Sequence, residues 1–319
     1  MSTPRGEQRR SLMSRRGLLG GALTVAVTGL VSAVCSDLAQ VDRAGAAEPE
    51  GAAAAIKVAS WPPATSRASS GGVATKPAGP LRPPRTVTSA PPRAGQHHVA
   101  AVEYRSPVFR LRDYVQMTPG AKRFPSDSIM LTIDDGPDKE WTPKILRLLE
   151  KYDVQATFCM IGCEAKASPK LAKAVVTQGH HLANHTFTHP LSLPSMSLHR
   201  IRQEIDRTQD AVATATGVAP HLFRSPGGNW GPGIYRELGY HGLVPLDWDI
   251  DPRDWALPGT SWIVNAMLAA RPGDIILCHD GGGDRSETYA ALKTVIPQLR
   301  ARGLKFVTLP AHREVADGG

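Results

Sequence analysis

From residue 128 onwards, short runs of apolar and β-branched residues alternate along the chain with longer stretches in which apolar positions follow a helical spacing. The apolar runs predict strands at 128–133, 154–161, 242–246, 273–278 and 305–309. The helical stretches fall at 142–151, 169–178, 198–216 and 288–302, with Ser168 and Ser197 as expected N-caps. This alternation predicts a parallel sheet covered by helices, either a barrel or a doubly wound sheet. In such α/β folds the functional side chains lie at the carboxyl ends of the strands.

The first hundred residues differ in composition from this alternating region and predict an exported protein. Residues 1–47 combine a basic start, which contains Arg15-Arg16, with an uncharged run and small residues typical of a cleavage site. The arginine pair favours a twin-arginine signal peptide; retention as a membrane anchor and lipid attachment at Cys35 are alternatives. Residues 48–100 contain nine Pro and few large apolar residues, so we expect a disordered linker before a single catalytic domain at 101–319. The mature protein should be secreted or cell-wall associated, with the membrane as a partner only during export.

The positive charge of the chain is concentrated in this leader and linker. The formal net charge is +8, and residues 1–100 hold 12 Lys and Arg against 5 Asp and Glu, which leaves +1 for the rest of the chain. An enzyme that binds nucleic acid needs its basic residues on the folded domain, where they contact phosphates. We therefore expect no nucleic-acid partner.

Three cysteines remain after removal of the leader: Cys159, Cys163 and Cys278. Three thiols cannot form a closed set of disulfides, and a twin-arginine substrate folds in a reducing compartment before export. We expect a fold that does not depend on disulfides, with Cys159 and Cys278 buried as small hydrophobic residues in apolar strands.

Two motifs carry residue types that bind metals. The first predicted strand runs into Asp134 and Asp135, and adjacent carboxylates repel each other unless a cation or an arginine compensates one of them. Further on, His185 and His189 would share one face if their segment were helical. Taken separately, the first motif also fits a polar turn and the second fits chance composition. Together, one carboxylate and two imidazoles make a three-ligand set that leaves a coordination position open, as in catalytic zinc sites.

Three further motifs place polar residues at the ends of predicted strands. Arg224 is followed by a glycine-rich segment that includes Gly227, whose backbone amides can point at an oxyanion. Asp254 stands beside Trp255, and His279 follows an apolar strand at a position suited to a catalytic acid. Each motif alone fits an ordinary turn, a surface salt-bridge loop or a structural histidine. Five such strand ends in one α/β domain indicate an active site.

In this order, the five motifs resemble the signature of the polysaccharide deacetylase family, the NodB-homology domain or carbohydrate esterase family four, with a core at 125–312. The resemblance implies a distorted (β/α) barrel of about seven strands. It also implies a hydrolase that removes N-acetyl groups from a polysaccharide containing N-acetylglucosamine, such as peptidoglycan or chitin-type oligomers, and releases acetate. The alternatives are an O-acetyl esterase acting on acetylxylan and a non-catalytic glycan-binding protein. The implied cofactor is a divalent metal, zinc or else cobalt, and we expect a monomer.

The resemblance assigns the chemistry and the metal to separate residues. Asp134 would be the general base and His279 the general acid, while Arg224 would orient Asp134 and keep it ionised. The implied metal ligands are Asp135, His185 and His189.

The resemblance also assigns the remaining motif residues. A backbone amide at Gly227 would bind the oxyanion, and Asp254 would tune either the arginine or the histidine of the site. The acetate pocket would be lined by Trp255 and Leu277. Two positions depart from the family pattern: Ile133 replaces the usual Phe, which should affect only packing, and Gly227 replaces a frequent Tyr or Pro, which should widen the groove.

Overall fold

The computed structural model describes residues 103–310. The expected signal peptide at 1–47 and linker at 48–100 lie outside the described residues and stay predictions. Within 103–310, no helix combines the length and the apolar character needed to span a membrane.

Seven strands and eight α-helices follow one another along the described residues. The strands are β1 Ser128–Asp134, β2 Thr157–Met160, β3 His181–Asn184, β4 Leu222–Phe223, β5 Val244–Pro245, β6 Ile275–His279 and β7 Lys305–Phe306. The helices are α1 Leu111–Met117, α2 Trp141–Lys151, α3 Gly162–Ala167, α4 Pro169–Thr177, α5 Leu198–Thr216, α6 Pro232–His241, α7 Thr260–Leu268 and α8 Ser286–Ala301. Short 3₁₀ turns occupy Leu193–Ser195, Pro226–Gly228 and Asp254–Ala256.

The strands form one seven-stranded sheet in the order β5-β4-β3-β2-β1-β6, with β7 paired to the start of β1. Every pair in this sheet is parallel, and the sheet is curled into a half-barrel with helices. The expected distorted barrel is confirmed. The register pairs Asp134 at the end of β1 with His279 at the end of β6, so these two residues are neighbours on adjacent strands.

The central strand β1 is fully buried, which explains why its sequence is a nearly continuous apolar run. Successive side chains of a strand point to opposite faces. Ile129, Leu131 and Ile133 pack in the large cluster that includes residues of α2 and α8, whereas Met130 belongs to a second cluster on the other face. Because Asp134 is an even number of positions from Met130, its side chain lies on that second face, inside the half-barrel.

The predicted N-caps of the two long helical stretches behave differently. Helix α5 has the predicted bounds, and the side chain of Ser197 accepts a hydrogen bond from the backbone N of Arg200 at 3.3 Å. At its other end Gly217 adopts a left-handed φ of 80°, a conformation that glycine reaches without strain. Ser168 also occupies the predicted N-cap position, directly before Pro169 at the start of α4, but its side chain makes no capping hydrogen bond.

The sequence pattern did not predict β3 or the helices α1, α3, α6 and α7. Among the cysteines, Cys159 and Cys278 are free and fully buried, as expected. Cys163 is disulfide-bonded, and a fold that does not depend on disulfides stays a prediction.

Candidate active site

The candidate residues gather at the carboxyl ends of the strands, inside the half-barrel. Asp134 ends β1 and His279 ends β6, while Asp135, His185 and Arg224 directly follow β1, β3 and β4. Since parallel strands end at the same edge of a sheet, these side chains meet there although they come from distant parts of the chain.

Asp135, His185 and His189 lie close enough together to bind one metal ion. Their ligand atoms are all within 4.8 Å of one another, and Asp135 Oδ1 is 3.4 Å from Nε2 of each histidine. Ligand atoms on a tetrahedral zinc ion are about 3.4 Å apart, as follows from zinc–ligand distances of about 2.0–2.1 Å. Asp135 Oδ1 is also buried without a hydrogen-bond partner among the described residues. Such an oxygen is costly unless a cation or donor compensates it, so the three residues fit a divalent metal.

The two histidines come together through an irregular loop and not on one face of a helix, which was the geometry considered for their spacing. Thr186 and His189 have positive φ angles of 65° and 56°. Asn184 Oδ1 accepts a hydrogen bond from the backbone N of Thr186 at 3.0 Å, and Thr186 Oγ1 accepts one from the backbone N of His189 at 3.1 Å. His185 Nδ1 lies 2.9 Å from the carbonyl oxygen of Arg224. This contact fixes the imidazole and leaves Nε2 for the metal.

Glu204 on α5 holds the same loop and was missed by sequence reasoning. Its Oε2 accepts hydrogen bonds from the backbone N of Phe187 and of Thr188, each at 2.8 Å. Its Oε1 accepts a third bond from Thr188 Oγ1, also at 2.8 Å. No local signal marks this residue, because it is one of several charged residues on α5 and its partners precede that helix.

The electrostatics of two of the three candidate ligands, Asp135 and His189, favour protonation states that bind a cation. Burial opposes ionisation of Asp135, but His189 and His185 hold its pKa below the ordinary value. Burial lowers the pKa of His189 to about 4, so its imidazole is neutral at pH 7. Burial acts in the same direction on His185, but Asp134 and Asp135 raise its pKa above the ordinary value. A cation that takes up Nε2 must displace that proton, so metal binding should weaken at low pH.

Arg224 fixes the position of Asp134. Its side chain is fully buried, and Nη1 donates hydrogen bonds to Asp134 Oδ1 at 2.7 Å and to Thr132 Oγ1 at 2.8 Å. The other carboxylate oxygen, Asp134 Oδ2, lies 3.7 Å from His185 Nε2. One oxygen of Asp134 is therefore held by the arginine while the other faces the candidate metal ligands. Removing one partner of such a buried ion pair costs about 3–5 kcal/mol, because the other charge is left uncompensated.

His279 is paired with Asp254. His279 Nδ1 lies 2.7 Å from Asp254 Oδ1, and Asp254 Oδ2 accepts bonds from the backbone N of His279 at 2.9 Å and from Thr288 Oγ1 at 2.8 Å. Of the two partners considered for Asp254, the structure brings it to the histidine. Burial alone would lower the pKa of His279, but Asp254 raises it to about 9. Burial alone would likewise raise the pKa of Asp254, but His279 lowers it. The pair therefore holds a protonated imidazole at neutral pH.

The other three predicted site residues, Gly227, Trp255 and Leu277, lie on three different segments. Gly227 has a φ of 63° in the turn after Arg224 and lines a cavity of about 540 Å³. Leu277 is buried within β6, and Trp255 is half-buried with the guanidinium of Arg253 5.1 Å from its ring centre. Neither Trp255 nor Leu277 lines that cavity, and their part in an acetate pocket stays a prediction.

Asp280 is a second residue that sequence reasoning missed, although it directly follows His279. It is fully buried, its backbone N donates to the carbonyl oxygen of Asp134 at 3.0 Å, and Thr142 Oγ1 donates to its Oδ2. Burial raises the pKa of Asp280 to about 7. A Cβ atom at Gly136 would lie 2.3 Å from Asp280 Oδ1, so the turn after β1 can pack here only as glycine.

The chain is similar to proteins of known activity. Residues 121–245 match the family model described as polysaccharide deacetylase. A peptidoglycan-N-acetylglucosamine deacetylase of Bacillus cereus is 42% identical over 185 residues, which cover 57% of this chain and 85% of that protein. A chitooligosaccharide deacetylase of Sinorhizobium fredii is 38% identical over 212 residues, covering 63% and 98%. A crystal structure of a peptidoglycan N-acetylglucosamine deacetylase matches with a TM-score of 0.57 and 32% identity, covering 62% of this chain and 94% of that one.

Proposed function

This chain belongs to the polysaccharide deacetylase family, and from that premise we propose that it is a metal-dependent hydrolase that removes N-acetyl groups from a glycan containing N-acetylglucosamine. The observation that carries the proposal is the arrangement of two paired groups around one three-ligand set. Asp134, which is paired with Arg224, ends β1. His279, which is paired with Asp254, ends the neighbouring strand β6. A protein that only binds glycans needs neither a base nor an acid in these positions.

Asp134 is the proposed general base. Because Arg224 occupies its Oδ1, its Oδ2 is the oxygen available to accept the proton of an attacking water near the candidate ligands. General base catalysis of this kind contributes about 10²- to 10⁴-fold to a rate.

His279 is the proposed general acid. An amide expels its nitrogen readily only when that nitrogen is protonated, and Asp254 holds Nδ1 of His279 so that Nε2 can deliver the proton. A backbone amide at Gly227 would stabilise the oxyanion, a contribution of about 3 kcal/mol per donor.

The proposed metal is zinc, held by Asp135, His185 and His189. When bound, a divalent zinc ion would polarise the acetyl carbonyl and lower the pKa of water to about 7. The two nitrogens and one oxygen, the 3.4 Å spacings and the unpartnered Asp135 Oδ1 support this assignment. Cobalt would suit the same ligand set.

The proposed substrate is peptidoglycan or a chitin-type oligomer, because the similar proteins are named as deacetylases of these glycans. We further propose that the protein is exported by the twin-arginine route and acts at the cell wall, which rests on the composition of residues 1–100.

The test is acetate release from N-acetylglucosamine oligomers, peptidoglycan and acetylated xylan, measured side by side with the full chain. Acetate should appear with new free amines on the first two substrates, stop on chelation and return with zinc. The Asp134→Asn variant, loaded with zinc, serves as the matched inactive control. Release from xylan alone would favour an O-acetyl esterase, and zinc-loaded protein that binds these glycans without releasing acetate would favour the non-catalytic alternative.

A further inference from the structure

A cavity of about 540 Å³ adjoins the candidate active site along the segments that follow β4 and β5. Gly227 and Gly228 form part of its wall, and Trp248 forms another part. Gly228 lets the Trp248 ring pack closely at this wall, because a Cβ atom at Gly228 would lie 2.8 Å from the ring. The volume is within the range of about 300–1,000 Å³ that is usual for small-molecule sites.

The cavity is acidic. Asp247, Asp249 and Asp251 all line it, and none of its lining residues is Lys or Arg. Two cations lie nearby without lining it: Arg110 is 3.6 Å from Asp249 Oδ2, and Arg224 donates to the backbone carbonyl of Asp247. Asp249 and Asp251 are exposed, so a ligand that enters the cavity meets their carboxylates directly.

Asp247 provides a second, independent sign of a ligand. It is only 5% exposed, and its Oδ2 accepts a hydrogen bond from Trp230 Nε1 at 2.8 Å. Its Oδ1 is buried and has no hydrogen-bond partner among the described residues. Burial raises the pKa of Asp247 to about 6, so the carboxylate is mostly ionised at pH 7.5. A buried carboxylate oxygen without a donor is costly, and a cationic donor in the cavity would compensate it.

The cavity lies next to the proposed general base, Asp134, because both contact the side chain of Arg224 or its partners. One guanidinium spans both: Arg224 Nη1 donates to Asp134 Oδ1 at 2.7 Å, and its Nη2 donates to the carbonyl oxygen of Asp247 at 2.8 Å. Gly227, the proposed oxyanion donor, also lines the cavity. A ligand here would therefore sit next to the sugar unit whose amide is cleaved.

We propose that this cavity binds a protonated glucosaminyl unit adjacent to the reacting N-acetylglucosamine, so that the enzyme prefers glycan chains that already carry a free amine. The inference rests on the proposed function, because hydrolysis of the acetamide leaves such an amine on the chain. The amine of a glucosaminyl unit takes up a proton more readily beside these carboxylates, because a nearby opposite charge favours the charged form. The ammonium group supplies donors and positive charge to the three carboxylates.

The test compares two pentamers at pH 7, one fully N-acetylated and one with a single internal glucosamine. The wild type should show a higher kcat/KM for the amine-bearing pentamer, and 0.5 M salt should reduce the preference because exposed charges are screened. Asp249→Asn and Asp251→Asn should each reduce the ratio of the two kcat/KM values by about 1.4- to 5-fold, the range for exposed ion pairs. Asp210→Asn, an exposed charge on α5, is the matched control and should leave the ratio unchanged.

Direct binding separates this inference from the proposed function. A fully deacetylated glucosamine tetramer, titrated calorimetrically into wild type and into the Asp249→Asn, Asp251→Asn double variant, should bind more weakly to the variant. Equal binding to both proteins, or equal kcat/KM for the two pentamers, would overturn the assignment of the cavity. If neither pentamer released acetate, the proposed function would fail while the tetramer titration still decided the binding site.

Discussion

Glu204 touches none of the three candidate metal ligands, yet we predict that replacing it weakens metal binding. Its carboxylate accepts three hydrogen bonds of 2.8 Å from Phe187 and Thr188, in the middle of the loop that carries His185 and His189. Glu204→Gln leaves one acceptor oxygen and removes the charge, whereas Glu204→Ala removes every one of these contacts. Either change frees a loop that must hold two imidazoles at fixed positions.

The size of the effect follows from the number of contacts and their exposure. A hydrogen bond to a charged group contributes about 1.5–3 kcal/mol, so three set an upper limit of about 5–9 kcal/mol. Glu204 is only half-buried, and water can replace part of this. Loss of a residue that supports metal ligands typically weakens affinity by about 10- to 100-fold, equivalent to about 1.4–2.7 kcal/mol. We expect Glu204→Gln near the lower value and Glu204→Ala near the upper one.

The measurement is the zinc dissociation constant, obtained by competition with a chromophoric chelator after the metal has been removed from each protein. Glu150→Gln, an exposed charge on α2, is the matched control and should bind zinc like the wild type. Melting temperatures of the metal-free proteins report general stability separately. If both Glu204 variants melted at lower temperature but bound zinc within about twofold of wild type, the carboxylate would serve the fold alone, and the reasoning would be refuted.

The adjacent carboxylates should respond differently to removal of their charge. Asp135→Asn should lose both zinc and activity. Asp134→Asn should keep its zinc, measured by elemental analysis, and lose about 10²- to 10⁴-fold in kcat. Near wild-type turnover of Asp134→Asn would exclude Asp134 as the base. The proposed acid, His279, must be protonated, so activity should fall as pH rises through its pKa, which Asp254 raises. Asp254→Asn should lower that pKa and move this alkaline limb of the pH–activity profile to lower pH. An unmoved limb would contradict the pairing. Lys at both positions of Arg15-Arg16 should retain the precursor inside the cell, as seen by fractionation, and normal secretion would exclude the twin-arginine route.

Much of the fold could be predicted because its strongest signals are local. The strand β1 is buried on both faces, so its sequence is apolar almost throughout, and α5 combines an apolar stripe with a Ser cap and a Gly end. The strand β3, which the pattern did not predict, is four residues long, and β4 is two residues long. Such short pairings depend on neighbours in the sheet, and their own composition carries little information about them.

The candidate site divides in the same way. Asp134, Asp135 and His279 stand at strand ends, where an α/β sequence makes function easy to anticipate. The residues that support the site were harder to find. Glu204 holds the histidine loop from the following helix α5, and Asp280 contacts Thr142, 138 positions away along the chain. The geometry of the histidine pair was also beyond the sequence, because spacing alone does not distinguish a helix from a loop with two positive φ angles.

The register that pairs Asp134 with His279 has a consequence for the order of folding. These two residues are separated by more than half of the described chain, and closing so long a segment costs entropy before any contact compensates it. The three candidate metal ligands, in contrast, all lie between Asp135 and His189, in the segments that follow β1 and β3, two strands that both pair with β2. Metal retention therefore depends on the chain up to Arg224, whose carbonyl oxygen holds His185, whereas deacetylation also requires β6 and its His279.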